Sequence, residues 1–374
     1  MVTSAHEMPS GRDRSSFAYA VLLALGALDA AGYSVIAPVA PEIARATGAT
    51  PGSMGVLVAM FPLGIVLGFM VTAAGIRRDR MSHVLFGSLG LLAGGAVAMA
   101  TSGSYGGYMV ARFVMGLGSG GVWMGVTFNT LARWPGQEYL CMSRIFAAYS
   151  VGGLLGPALG ALGGVSAPFL AYAMLVLIAI PAVMAMGPTR TARRFSADRS
   201  ALRLPGFSLS CAGIAFAVLA LGLIEGVLPL HLSTALPQRG IAIVYAVMSV
   251  VVAAAAAIAA RLRPRRALLA ATAFVTVGIS IVGVSGSVGW WLPALAMAGL
   301  GVGVANTGSI GVLLEAVPTD RIVTAMVLWS QVGIIGYLVG PLLGGLAAEA
   351  AGFGALGLVA LAAATPVLSL LQRS

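Results

Sequence analysis

The chain has 374 residues, of which 59% are hydrophobic and only 9% charged, where a soluble globular domain carries about a quarter charged residues. So much apolar sequence excludes a water-soluble domain of this length and leaves lipid as the solvent for most side chains. All 21 basic residues are arginine, which excludes a Walker A loop or a lysine Schiff base, since both require Lys. The net charge of +10 does not point to nucleic acid, because the arginines fall between apolar runs.

A helix that crosses a bilayer needs roughly 20 mostly apolar residues. Runs of that kind predict twelve spans, at 16–40, 52–75, 82–102, 105–131, 142–165, 167–187, 206–231, 239–260, 267–287, 289–314, 322–348 and 351–371. The first run is too long for a signal peptide, contains Asp29 and is followed by further spans, so it reads as an uncleaved helix. It ends in a proline-rich stretch with Pro38 and Pro41. The second run carries Gly68 and Gly75 and leads into Arg77, Arg78, Asp79 and Arg80. Arg112 interrupts the fourth run, which also holds Trp123 and Phe128. Tyr149 stands at the fifth, followed by Gly152, Gly156, Pro157 and Gly160.

Between the sixth and seventh runs lies an Arg-rich, non-periodic stretch, 188–205, read as a cytoplasmic linker between an N-terminal bundle (1–187) and a C-terminal bundle (206–374). The seventh run contains Glu225 and ends at Pro229 and His231. The tenth carries Asn306, and the eleventh carries Trp329, Ser330 and Gln331 followed by Gly336, Gly340, Pro341 and Gly344. Short junctions near Ser166 and Ala350 separate the fifth from the sixth run and the eleventh from the twelfth.

Arginine placement orients the spans. With the N-terminus inside, eighteen arginines fall on inside segments and only Arg45 and Arg239 on outside ones. This is the positive-inside pattern, and it predicts two cytoplasmic termini. The two halves also repeat one plan. Gly116-Leu117-Gly118 returns as Gly299-Leu300-Gly301 at an offset of 183. Gly152, Gly156, Pro157 and Gly160 return as Gly336, Gly340, Pro341 and Gly344 at an offset of 184. Repeated halves are common in secondary transporters, with the substrate site near mid-membrane at the repeat interface.

The fifth-span sequence Gly152-Gly153-Leu154-Leu155-Gly156-Pro157-Ala158-Leu159-Gly160, with Arg112-x-x-x-Gly116-x-Gly118 in the fourth span, resembles the major facilitator superfamily. Within it the chain is most similar to the twelve-span drug:proton antiporters, a group related to the vesicular monoamine transporters. Asp29 before a proline-rich exit, and Glu225 before Pro229, resemble the first and seventh helices of that group. The resemblance implies an all-α fold of two pseudo-symmetric six-helix bundles and proton-coupled efflux of small amphipathic or lipophilic compounds from a bacterial inner membrane. It assigns Asp29, Arg112 and Glu225 to proton coupling or substrate. It assigns gating to Gly152, Gly156, Pro157, Gly160, Gly336, Gly340, Pro341 and Gly344, and a cytoplasmic latch to Gly68, Gly75, Arg77, Arg78, Asp79 and Arg80. The latch departs from the family pattern, with Thr72 at the acidic position and Ala73 at the first basic one.

The residues also support plainer readings. Glycines four apart let helices approach closely, which fits static packing as well as gating. Pairing Pro38 with Pro229 places Asp29 opposite Ala220, so the two acids are not repeat equivalents. Tyr33, Trp123, Phe128, Tyr149, Asn306, Trp329, Ser330 and Gln331 are candidate cavity residues, although packing accounts equally for most of them. Cys141, Cys211, His6, His83 and His231 lie too far apart in sequence to suggest a metal site. No cofactor motif or catalytic constellation appears, so the reading is not an enzyme. The expected partners are the lipid bilayer, protons and a small-molecule substrate, with the chain acting as a monomer. An uptake permease and a non-transporting membrane receptor remain as the other two functional classes.

Overall fold

A computed structural model describes residues 11–76, 81–134, 137–187, 205–259, 261–318 and 321–373. Fourteen helices occupy them: α1 (Gly11–Ser34), α2 (Ile36–Thr47), α3 (Pro51–Ile76), α4 (Met81–Thr101), α5 (Tyr105–Arg133), α6 (Glu138–Gly160) and α7 (Ser166–Ala185) in the first half. The second half holds α8 (Pro205–Gly226), α9 (Leu228–Leu232), α10 (Gln238–Ala259), α11 (Pro264–Val284), α12 (Val288–Ala316), α13 (Ile322–Ala351) and α14 (Ala355–Arg373). The twelve expected spans are present, the first and the seventh each as two consecutive helices. Among the described residues, eleven helical stretches are long and apolar enough to cross a membrane. The remaining long helix is α6, which carries Glu138 and Arg144 in its first two turns.

The first span is longer than expected and continues to Thr47. A proline removes one backbone donor and bends a helix without ending it when neighbours hold the chain. Val35 keeps right-handed helical torsions (φ −59°, ψ −23°), so the junction of α1 and α2 is a kink. The stop comes at Gly48, whose positive φ of 68° closes the C-terminus with its N–H on Ala44 O. The corresponding kink between α8 and α9 falls at Val227 (φ −127°, ψ −40°), two residues before Pro229. The expected linker 188–205 lies outside the described residues except for Pro205, which opens α8.

The helices form two bundles with the same wiring. In the first, α1 packs on α6, α3 on α5, and α4 on α5 and α7. In the second, α8 packs on α13, α10 on α12, and α11 on α12 and α14. Between the bundles, α3 meets α13 and α6 meets α10, again as a symmetric pair. Each bundle has its own large apolar core, around Leu22, Leu57 and Tyr172 in one and Leu223, Val275 and Trp291 in the other.

Sequential spans alternate in direction, which gives the molecule two ends. One end holds the junctions at 48–50, 102–104, 161–165, 233–237, 285–287 and 352–354; we call it the far face. The other, the near face, holds the start of α1 and the end of α14. Hydrogen bonds tie the far-face junctions together, from Tyr105 Oη to Ser53 O (2.7 Å) and from Ser166 Oγ to Ala100 O (2.6 Å).

Candidate functional site

Arg112 is brought to the centre by a glycine seam. Gly64 and Gly68 of α3 face Gly116 and Gly120 of α5, and a Cβ at any of the four would strike backbone of the other helix. The two helices therefore touch backbone to backbone, as small-residue seams permit. Arg112 sits one turn before Gly116 on that seam. Its side chain is fully enclosed, with the guanidinium 4.4 Å from the Phe61 ring centroid and 5.6 Å from that of Tyr33.

The hydrogen-bond partners of Arg112 are backbone carbonyls: Nη1 donates to Gly32 O (2.7 Å) and Nη2 to Tyr33 O (2.8 Å). Both carbonyls belong to the last turn of α1, just before the kink, where the helix dipole is negative. Each bond to a charged group is worth about 1.5–3 kcal/mol. Together they offset the roughly 2.5–3.5 kcal/mol that an arginine at mid-bilayer costs. Snorkelling to a headgroup is thereby ruled out for this conformation. Among the described residues no carboxylate oxygen lies within 4.0 Å of this guanidinium.

Asp29 lies one turn before Tyr33, 3% exposed, with Ser119 of α5 beside it and Tyr149, Tyr172 and Tyr337 within electrostatic reach. Glu225 is 6% exposed on the last turn of α8, in electrostatic reach of Arg112, Tyr33 and Tyr245. Each acid has a buried oxygen without a hydrogen-bond partner, Oδ1 of Asp29 and Oε2 of Glu225. So do the hydroxyls of Tyr33 and Tyr172 and Nε1 of Trp329. The sequence-predicted trio of Asp29, Arg112 and Glu225 thus converges on one buried centre, although it joins two separate halves.

Sequence reasoning missed most of the tyrosines. Tyr337 closes over Tyr33 with ring centroids 4.3 Å apart, Tyr172 presses its hydroxyl on Gly32, and Tyr245 donates its hydroxyl to Ile224 O. A tyrosine in the middle of an apolar run was the available signal, since its hydroxyl needs a partner there. The aromatic candidates do meet. Trp123 packs edge-on against Phe146 (5.3 Å) and Tyr149 (5.6 Å), and Phe146 reaches Trp329 of the other half (6.0 Å). Trp123, Phe146 and Tyr149 are half-buried in this cluster, whereas Trp329 is buried. Phe128, Asn306, Ser330 and Gln331 are half-buried; Ser330 bonds its own helix at Val327 O (2.8 Å), and Asn306 O accepts from Ser309 (2.8 Å).

The glycine ladders lie inside the halves. A Cβ at Gly152 would strike Ala27 O, one at Gly156 would strike Ser34, and one at Gly160 would strike Pro38, so this face of α6 is locked to α1 and α2. Gly336 and Gly340 face Ala215, Leu219 and Gly222 of α8 in the same way, and Gly344 faces Leu223. Pro341 is the exception, since its ring covers Gly222 and Gly226 while its carbonyl touches Gly55 of α3 in the other half. Of the latch residues, Gly68 belongs to the α3–α5 seam and Gly75 to the last turn of α3. Thr72 is buried within α3 against α5, and Arg77, Arg78, Asp79 and Arg80 lie outside the described residues.

Comparisons with known proteins agree with this architecture. The chain is 29% identical over 187 residues to proteins named "Putative multidrug resistance protein MdtD" from Salmonella paratyphi B and Salmonella typhi, a match covering 48% of this chain and 38% of each relative. The chain thus spans less than two fifths of the length of these curated relatives. Its fold is similar to crystal structures of a bacterial homologue of the human lysosomal transporter Spinster. The inward-facing, unoccupied form gives a TM-score of 0.71 at 14% identity, covering 97% of this chain and 94% of that one. The occupied form gives 0.68 at 16%, covering 96% and 92%. The profile of the Major Facilitator Superfamily matches residues 22–210, half of the chain. Twelve spans in two equivalent bundles, with the buried arginine and the glycine ladder inside the matched region, agree with that assignment: the chain belongs to the Major Facilitator Superfamily.

Proposed function

We propose that this protein is a secondary transporter that exports small amphipathic or lipophilic compounds in exchange for protons, by alternating access of the centre around Asp29, Arg112 and Glu225. One observation carries the reading. Two buried carboxyls keep unpartnered oxygens while the nearby arginine is held by backbone carbonyls. Ionised carboxylates without partners are costly in so dry a place. Closing the centre is therefore tied to loading the acids with protons or with a substrate that bonds them. The likeness to drug:proton antiporters and to relatives named for multidrug resistance supports export.

In this reading the near face is cytoplasmic and the far face lies outside a bacterial inner membrane, which the positive-inside pattern of the arginines supports. In the cycle, protons arriving from outside load the acids and release substrate there. The two bundles then rock, and the protons leave to the cytoplasm. The glycine ladders keep α1 with α6 and α8 with α13, so that each bundle moves as a body. The linker 188–205 tethers the bundles, and the chain works as a monomer.

The test is reconstitution in vesicles loaded with a lipophilic fluorescent dye, with an imposed pH gradient. Gradient-driven dye efflux is expected in the parent and is lost in Asp29→Asn and Glu225→Gln. Flux insensitive to the gradient and to both substitutions sinks the proton coupling. Flux of the opposite sign establishes an uptake permease instead.

A further inference from the structure

The far face is held shut by side chains of the second half that grip backbone of the first. On one side of the interface, the Glu349 carboxylate of α13 accepts from Gly52 N–H (2.8 Å) and from Thr50 Oγ1 (3.0 Å). Thr50 is the residue just before α3, and it also accepts from Ser53 N–H (3.3 Å). Glu349 thus supplies an anionic cap, from the other half, to the positive end of a 26-residue helix. Close packing backs it, because Gly345 meets Gly55 and a Cβ at Gly52 would strike the Glu349 carboxylate.

On the other side, Gln238 opens α10 and reaches the α6–α7 turn. Its Oε1 accepts from Gly164 N–H (2.8 Å), and its Nε2 donates to Gly160 O (3.0 Å) and Gly164 O (2.9 Å). One amide thereby makes three bonds to a turn whose glycine has a positive φ of 65°. The two grips sit at α3–α13 and α6–α10, the same symmetric pair of contacts that joins the bundles. Farther towards the near face, the halves meet through aromatic edges at Phe146 and Trp329.

We propose that Glu349 and Gln238 form a pair of polar clasps that hold the far face closed, and that their release is the step that opens the central acids to that side. The proposal rests on alternating access as read above. Both clasps break when the bundles separate there, since each runs from a side chain of one bundle to backbone of the other. Removing a charged hydrogen-bonding group shifts such an equilibrium by about tenfold or more.

The experiment measures far-face separation in the full chain in nanodiscs by pulsed electron paramagnetic resonance. Spin labels go on Gly103→Cys and Gly286→Cys in a Cys141→Ser, Cys211→Ser background. A Cβ at either position meets no atom within 4 Å, and the two lie on opposite halves. Glu349→Ala combined with Gln238→Ala is expected to raise the ratio of long to short distances about tenfold or more. Glu349→Gln keeps an acceptor for Gly52 N–H and is expected to raise it less. Gly52→Ala, which strikes the carboxylate from the other half, is expected to act like Glu349→Ala. An unchanged ratio in the double variant overturns the clasps; should that variant fail to fold, an unchanged ratio in both Glu349→Gln and Gly52→Ala overturns them. A far face that opens in the double variant, beside a parent without gradient-driven transport, sinks the proposed function and leaves the clasps standing. An unchanged face in a protein that transports sinks the clasps alone.

Discussion

The two kinked spans solve one problem with different chemistry. In the first half the last turn of α1 offers its carbonyls to Arg112 of α5, which binds two of them with a full charge. In the second half the last turn of α8 offers Ile224 O to a neutral phenol, Tyr245 of α10. The fold repeats, but the charge does not. A charged donor at mid-membrane must be shielded by its neighbours, and the Phe61 and Tyr33 rings lie beside the guanidinium in the first half. Tyr245 is just as deeply buried, 1% exposed, but burying a neutral hydroxyl costs less than burying a charge. The repeat therefore preserves how helices pack, while each half keeps its own polar chemistry.

Removing the two donors sharpens this comparison. Arg112→Ala leaves two carbonyls without their donor and a cavity beneath Phe61. It is expected to lower stability by about 3 kcal/mol or more, read as a fall in melting temperature in detergent. Tyr245→Phe removes one neutral bond and is expected to cost about 1 kcal/mol. Equal losses would break the comparison and show that the charge is not what distinguishes the halves.

The ladders supply the intermediate test, because there the halves are alike. Gly156→Ala meets Ser34 and Val35, and Gly340→Ala meets Leu219 O and Gly222. Both are expected to cost about 1–3 kcal/mol through overpacking, and by similar amounts. A cost confined to one half would mean that the packing plan is not shared. The smallest effect is expected at Gly153, next to Gly152 but turned towards the other half. A Cβ there finds only Ser249 Oγ, 4.0 Å away. Gly153→Ala is expected to stay within about 0.5 kcal/mol of the parent. That near-neutral result, beside a costly Gly152→Ala, would show that the ladder binds within a bundle and not across the interface.

Much of the fold was legible in the chain. A run of twenty apolar residues, an arginine between runs and a glycine spacing are local features, and bilayer thickness and backbone hydrogen bonding convert them directly into spans. Asp29, Arg112 and Glu225 were legible for the same reason, since an ionisable group in an apolar run stands out wherever the helix turns. The ends of the first span were less so, because Pro38 and Pro41 suggested a stop where the neighbouring helices sustain a kink. Tyr337 signalled only that its hydroxyl needs a partner, not where, and Gln238 and Glu349 gave no comparable signal. A tyrosine among apolar residues, or a polar residue beside a junction, looks the same whether it faces lipid, water or the other bundle.

The sequence by itself determined the number of spans, their repeat and which charges lie within them, because each follows from contiguous residues and the thickness of the bilayer. Only the tertiary structure decided that Arg112 binds the end of α1, that the glycine ladders close inside each bundle, and that Glu349 caps a helix of the opposite half. Those outcomes depend on how each helix is rotated about its axis and on which helix stands beside it. In helices apolar on every side, such as α3, no polar stripe in the sequence records that rotation. Contacts between residues nearly 300 positions apart, as between Gly52 and Glu349, exist only once the two bundles have met.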